Sequence, residues 1–499
     1  MTAPKAESRW DQGWLVRLTD RLPHPFWLFL LLWASVALLS TLLAGRGGVA
    51  HPSSGEWVTI QPLLSQSGLS YTLTHLISNF VEFRPLGLVL TMMLALGVVQ
   101  QTGLAEAAMI ALLRRSARGW ITPMVVLVGI IGNLASDAAI VLVPPIAAMM
   151  FHSVGRSPLV GVLVGFVSVF AGFTANLFIS GTDLLISGIS TEVAQSLDPS
   201  AVVAPTANWY FMCASVPLIV LVITLVTHKV VEPRIVPIPI ESIAPKGQQP
   251  TLTPAQRQGL RSAALVAMLY LVGLVVLALW PESGLRNPQG GWLPSPALRG
   301  VVPLLMGFFL ATACAYGRRS GTLAHWADLP RMMEQAIREM APFLVLLFVV
   351  AQFIASFEWT NLAVVLAVQG AEALSSWAIA PETTLLLFIL LTASLNLLVF
   401  SGSAQWSLMA PVFLPMLMLS GIEPATIQAA FRLADSSTNV ISPVNPYLPM
   451  ILLYLHRYQP RFSLGLLLSS ALPYSLALLL CWTGLFLLWQ QLQWPLGIG

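Results

Sequence analysis

Long apolar runs alternate along this chain with short polar, often basic stretches. A helix needs roughly 20 mainly apolar residues to cross a bilayer core. Runs near 25–45, 85–112, 209–227, 262–280, 300–316, 341–357 and 466–490 each read as one spanning helix. Two further runs are broken by polar residues, 158–188 around Thr174–Asp183 and 425–455 around Asp435–Pro446. Two more, 120–151 and 383–420, carry Asn, Ser, Gly or Pro in mid-run and read as re-entrant hairpins. Non-helical backbone is tolerated at such depth only where protein or a wet cavity surrounds it.

Basic residues fix the orientation. Lys5, Arg9, Arg17 and Arg21 precede the first run, which puts the N-terminus on the cytoplasmic side. Arg114, Arg115 and Arg118 flank the 120–151 run on one side and Arg156 on the other, so that run dips in from the cytoplasm and returns. The flanks of 383–420 carry almost no Lys or Arg, and that hairpin enters from outside. The stretch after the first run, with His51 and Glu56, is read as an outside loop. Residues 328–340 (DLPRMMEQAIREM) read as an amphipathic surface helix. The expected architecture is an all-α polytopic membrane protein with nine transmembrane helices and two opposed hairpins. Its first half is 1–227, a Pro-rich cytoplasmic linker covers 228–260, and the second half is 261–499.

Composition agrees: 56% of residues are hydrophobic, only 9% are charged, and mean hydropathy is +0.79. Soluble proteins carry about 25% charged residues. A net charge of +3 gives no argument for nucleic acid. Cys213, Cys314 and Cys481 lie in apolar runs without zinc or disulfide spacing. The first run is too long for a cleavable signal.

The halves resemble each other. Ser136 precedes Pro144 by eight residues and Ser403 precedes Pro411 by eight; Asn133 and Asn396 lie upstream. Thr174-Ala175-Asn176-Leu177 matches Ser437-Thr438-Asn439-Val440. Inverted repeats with discontinuous helices near the midplane mark secondary transporters.

Four ionisable residues fall at bilayer depth: Asp137, Asp183, Arg432 and Asp435. Each costs roughly 2.5–3.5 kcal/mol there and so needs a partner or a function. Arg432 and Asp435, at i and i+3, share a helical face and can pair; alternatively the guanidinium grips a substrate carboxylate. Asp137 and Asp183 have no evident cationic partner in the sequence. Each is a candidate to bind a cation, carry a proton or bond a half-helix N-terminus. Asn133, Ser136, Asn176 and Thr182, with Asn396, Ser403, Thr438 and Asn439, supply oxygen ligands suited to Na⁺, although helix–helix hydrogen bonding is the ordinary use of such residues. Trp406 either stacks an aromatic ligand or packs structurally.

At these residues the sequence resembles the AbgT transporters of p-aminobenzoyl-glutamate. The resemblance is carried by LPHPFWLF (22–29), ASDAAIVLVPPIAAMMF (135–151), VGRSPLVG (154–161), GFTANLFISGTDLLISGISTEVA (172–194), NWYFM (208–212), SGSAQWSLMAPVFLPM (401–416) and FRLADSST (431–438). It implies a homodimer of nine-helix subunits with two hairpins in the inner membrane. It also implies transport of p-aminobenzoyl-glutamate or, as in some members, export of sulfonamide antimetabolites. The residues it implicates are Asp183, Asn396, Ser403, Trp406, Pro424, Arg432, Asp435 and Pro443; Gly402 and Pro424 are assigned structural or gating roles. The expected substrate is an aromatic dicarboxylate gripped by Arg432 and Trp406. No cofactor is expected beyond a coupling Na⁺ or H⁺.

An intramembrane hydrolase using Ser403 needs a base at the same depth. The histidines, His24, His51, His75, His152, His228, His325 and His456, all read as loop or helix-end residues. A channel is disfavoured by the opposed hairpins.

Overall fold

The structure, a computed structural model, describes residues 25–46, 48–52, 54–114, 118–133, 137–235, 251–280, 284–285, 296, 300–376, 379–460 and 462–498. Among these the chain is helical almost throughout. The helices are α1 (Pro25–Leu42), α2 (Gln66–Val81), α3 (Arg84–Thr102), α4 (Leu104–Arg114), α5 (Ile121–Gly132), α6 (Asp137–Ser153), α7 (Pro158–Ala171), α8 (Gly181–Ala194) and α9 (Trp209–Val226). They continue as α10 (Pro254–Leu279), α11 (Val301–Ser320), α12 (Asp328–Trp359), α13 (Leu362–Ser376), α14 (Pro381–Asn396), α15 (Gly402–Leu419), α16 (Pro424–Thr438), α17 (Leu448–His456) and α18 (Leu464–Gln491). One two-stranded ribbon pairs β1 (Val49–Ala50) with β2 (Trp57–Val58).

Seven helical stretches among the described residues are long and apolar enough to cross a membrane, and the chain is a multi-pass membrane protein. α1, α2 and α3 pack on α12, and α3 and α10 pack on α11. The remaining helices gather around α7, every residue of which is buried. α5 and α6 lie against α7, α16 against α14 and α18, and α8 against both α3 and α15. A helix apolar all round belongs inside a bundle; α16 (PATIQAAFRLADSST) is also almost wholly buried, yet polar.

Helix–turn–helix units occur at 121–153 and 381–419, and helices are interrupted at 172–180 and 439–447. The second interruption begins after Asp435, because α16 continues to Thr438. Several expectations fail. The stretch read as loop after α1 contains α2, capped by Ser65 Oγ on Gly68 N. Its Ser and Thr content hides it, but Thr72 and Thr74 bond back to Gly68 and Ser70 carbonyls within the helix. His75 therefore lies mid-helix rather than in a loop. The 85–112 run is two helices, because Gly103 takes a left-handed conformation (φ 79°) that ends α3. The 328–340 segment is not a separate surface helix but the start of the 32-residue α12. α13 corresponds to none of the runs read from the sequence; Asn361 (φ 60°) turns the chain into it. α10 begins at Pro254, earlier than 262, on a capping box between Thr253 and Gln256. Residues 1–24, including the basic N-terminal group, and Ser136 lie outside the described residues, as does the Asp137 side chain.

Candidate functional site

A cavity of about 340 Å³ lies where the two helix–turn–helix units and the two interruptions meet. Two helix N-termini open onto it, α8 through Gly181 and Thr182 and α15 through Ser401, Gly402 and Ser403. The first amides of a helix have no intrahelical acceptor and carry the positive end of its dipole. Space is tight at the head of α15: a Cβ on Gly402 would stand 3.0 Å from Asp435 Oδ2. Asn133, at the end of α5, and Asn439 also line the cavity, with Phe170, Phe173, Phe343, Phe400 and Tyr447 as an aromatic wall. Phe170 stands 5.7 Å from Phe400 and 5.9 Å from Tyr447 between ring centroids.

Asp183 is the third residue of α8 and forms a capping box with Ser180. Its Oδ2 accepts from Ser180 N (2.6 Å) and Ser180 Oγ (2.7 Å). Its Oδ1 accepts from Arg432 Nη2 at 2.5 Å, and the same nitrogen donates to the Thr174 carbonyl at 2.6 Å. Thr174 Oγ1 in turn lies 2.6 Å from Ser436 Oγ and 3.0 Å from the Arg432 carbonyl. Asp183 thus has a cationic partner, and both of its oxygens are engaged. The i, i+3 pair with Asp435 is not made: Arg432 Nε and Asp435 Oδ1 each lack a hydrogen-bond partner. A long guanidinium stem reaches past its own helix to the start of α8. Arg432 is 1% exposed and does not line the cavity.

Asp435 is fully buried, with Oδ2 accepting only a long 3.4 Å bond from Asn439 Nδ2. Asn396 Nδ2 lies within reach of the Asp435 carbonyl (2.8 Å), Thr438 Oγ1 (2.9 Å) and Asn439 Oδ1 (3.0 Å). Asn396 Oδ1 and Gln405 Oε1 have no donor. Buried acceptors left unsatisfied are costly.

Other residues singled out in the sequence are more scattered. Asn133 Nδ2 donates to the Val169 carbonyl (2.8 Å), and Asn176 is buried in the interruption after α7. Ser403 lines the cavity, its Oγ 3.2 Å from Ser401 Oγ. Pro443 sits in the interruption after α16. Pro424 lies apart, in a cleft of about 830 Å³ beside the C-terminal residues Trp494–Gly497. Trp406 is wholly enclosed: its ring packs on Phe431 at 4.6 Å, and Nε1 donates to Ser190 Oγ at 3.1 Å.

Sequence reasoning missed the aromatic wall, Ser180, Ser190 and Gln428. Ser180-Gly-Thr-Asp183 is a readable capping signature, and aromatic residues abutting helix interruptions (Phe173, Phe400, Tyr447) were a usable signal.

Residues 12–499 match the family model described as the AbgT putative transporter family. The p-aminobenzoyl-glutamate transport protein of Escherichia coli is 38% identical over 490 residues, covering 98% of this chain and 96% of the relative. The YdaH transporter of Alcanivorax borkumensis superposes with a TM-score of 0.90 at 38% identity, over 95% of this chain and 100% of its own. MtrF of Neisseria gonorrhoeae, described as illuminating a class of antimetabolite efflux pumps, superposes with a TM-score of 0.90 at 36% identity, over 96% and 97%.

Proposed function

The chain belongs to the AbgT transporter family, and we propose that it is a secondary active transporter of aromatic carboxylates of the p-aminobenzoyl-glutamate type. One observation carries this reading: two helix N-termini and an aromatic wall share one cavity. A substrate carboxylate sits against the amides of Gly181, Thr182, Gly402 and Ser403, where the half-helix dipoles favour negative charge. The benzoyl ring lies among Phe170, Phe400 and Tyr447. Arg432 supports the site from behind rather than gripping substrate.

Asp435, Asn396, Thr438 and Asn439 form the coupling site in the second half, for Na⁺ or H⁺. Asn133 and Asn176 begin its counterpart in the first half, with Ser136 and Asp137 as its expected further members. α5–α6 and α14–α15 are opposed re-entrant hairpins of an inverted repeat, and α7/α8 and α16/α17 are discontinuous spans. With α1, α3/α4, α9, α10, α11, α12 and α18, these give nine crossings of the inner membrane, with a cytoplasmic N-terminus. α10 buries only Gly259 and Ala263; we assign its apolar surface to lipid and to a second copy of the chain in a homodimer.

Uptake of labelled p-aminobenzoyl-glutamate into proteoliposomes, with imposed Na⁺ or pH gradients, tests the reading. Gradient-driven accumulation supports it; equilibration that ignores both gradients refutes it. A second reading, efflux of sulfonamide antimetabolites, is favoured by the likeness to MtrF, and the same vesicles with a labelled sulfonamide decide it.

A further inference from the structure

We infer that Trp406 is a positioning residue, which acts through Ser190 to hold the two cavity-lining helix N-termini at a fixed separation. Its indole cannot reach a ligand in the cavity, since it is fully enclosed and absent from the cavity lining. What it does instead is begin a chain of hydrogen bonds between helices. Trp406 Nε1 donates to Ser190 Oγ (3.1 Å), and Ser190 Oγ lies 2.8 Å from both Gln428 Oε1 and the Ile186 carbonyl, which share its single O–H. Gln428 Nε2 donates to Asn208 Oδ1 (2.8 Å), and Asn208 Nδ2 donates to the Ala425 carbonyl (2.8 Å). The four side chains thus hold one another through consecutive contacts, and polar networks of this kind rigidify the elements they join.

The chain joins four elements. Trp406 is one helical turn into α15, Ser190 lies in α8, Gln428 in α16, and Asn208 immediately precedes α9. Gly402 and Gly181 head α15 and α8, so the Trp406–Ser190 bond fastens these two helices behind their cavity-facing ends. Dipoles and amides aimed at one anion are useful only when held in place beforehand. Trp406 has this role only if the cavity is the substrate site, as proposed above.

The test uses the full chain in proteoliposomes with p-aminobenzoyl-glutamate, and N-acetylglutamate as a non-aromatic competitor. W406F keeps a ring and loses the N–H; S190A loses the acceptor. Each is expected to lower the maximal rate about fivefold while KM moves by less than about twofold, the order of one buried hydrogen bond. The double variant should be no slower than S190A alone, because Ser190→Ala already removes the bond that Trp406→Phe breaks. S190T, which keeps a hydroxyl, should recover most of the rate lost in S190A. The preference for the aromatic substrate should persist in every variant. Multiplying effects in the double variant, or a preference that collapses in W406F, would overturn the inference. F400A separates the two levels: if it leaves both KM and the aromatic preference unmoved, the cavity is not the substrate site, whatever the Trp406–Ser190 coupling shows.

Discussion

Arg432 Nη2 lies 2.5 Å from Asp183 Oδ1, joining residues 249 positions apart in the chain. Together with the Thr174–Ser436 contact it fastens α16 to the start of α8 and to the interruption that precedes it. Removing one partner strands the other charge in a buried site, which costs about 3–5 kcal/mol. R432A and D183A should therefore both lower the thermal stability of the detergent-solubilised protein, whereas a double R432M/D183L should recover part of the loss. Melting curves of the three variants check this; singles as stable as the parent would show that the pair is dispensable.

Gly402→Ala places a methyl 3.0–3.1 Å from both Asp435 oxygens. Asp435 is wholly buried, so its carboxylate and the α15 N-terminus must shift against each other. Transport should fall by at least about tenfold, in line with the cost of overpacking. A parent-like rate for G402A would mean that the carboxylate is free to move aside.

The aromatic wall makes a selective prediction. Phe400→Ala and Tyr447→Ala should raise KM for p-aminobenzoyl-glutamate by about three- to tenfold, the range of one aromatic contact, while inhibition by N-acetylglutamate changes little. Equal weakening of both ligands would instead point to general damage of the cavity.

Asp435→Asn removes the charge but keeps the shape. Gradient-driven uptake should fall to the level seen without a gradient, while exchange of labelled for unlabelled substrate at equal concentrations persists. Should D435N still accumulate substrate in response to a Na⁺ or pH gradient, coupling resides elsewhere.

The interruptions were legible in the sequence because Pro, Gly and clustered polar residues cannot sit in a continuous apolar span without a reason. The helix–turn–helix units were legible on the same grounds. α2 was not, since its Ser and Thr hydroxyls bond to their own helix and disguise it as a polar loop. The partner of Arg432 was hidden for a different reason. Local spacing favours Asp435, three residues away, and nothing local reveals that the start of α8 lies within reach. Trp406 was ambiguous in the sequence, because enclosure among α8, α15 and α16 is a property of packing alone.

The division of labour between the two Asp183 oxygens has a consequence for biosynthesis. Ribosomes add roughly 5–20 residues per second, so Asp183 is made on the order of ten to fifty seconds before Arg432. For that interval the first half carries an acidic group without its cation. Ser180, only three residues away, already supplies an N–H and an O–H to one oxygen. The capping box thus gives the carboxylate two local donors that do not wait for the second half to be made.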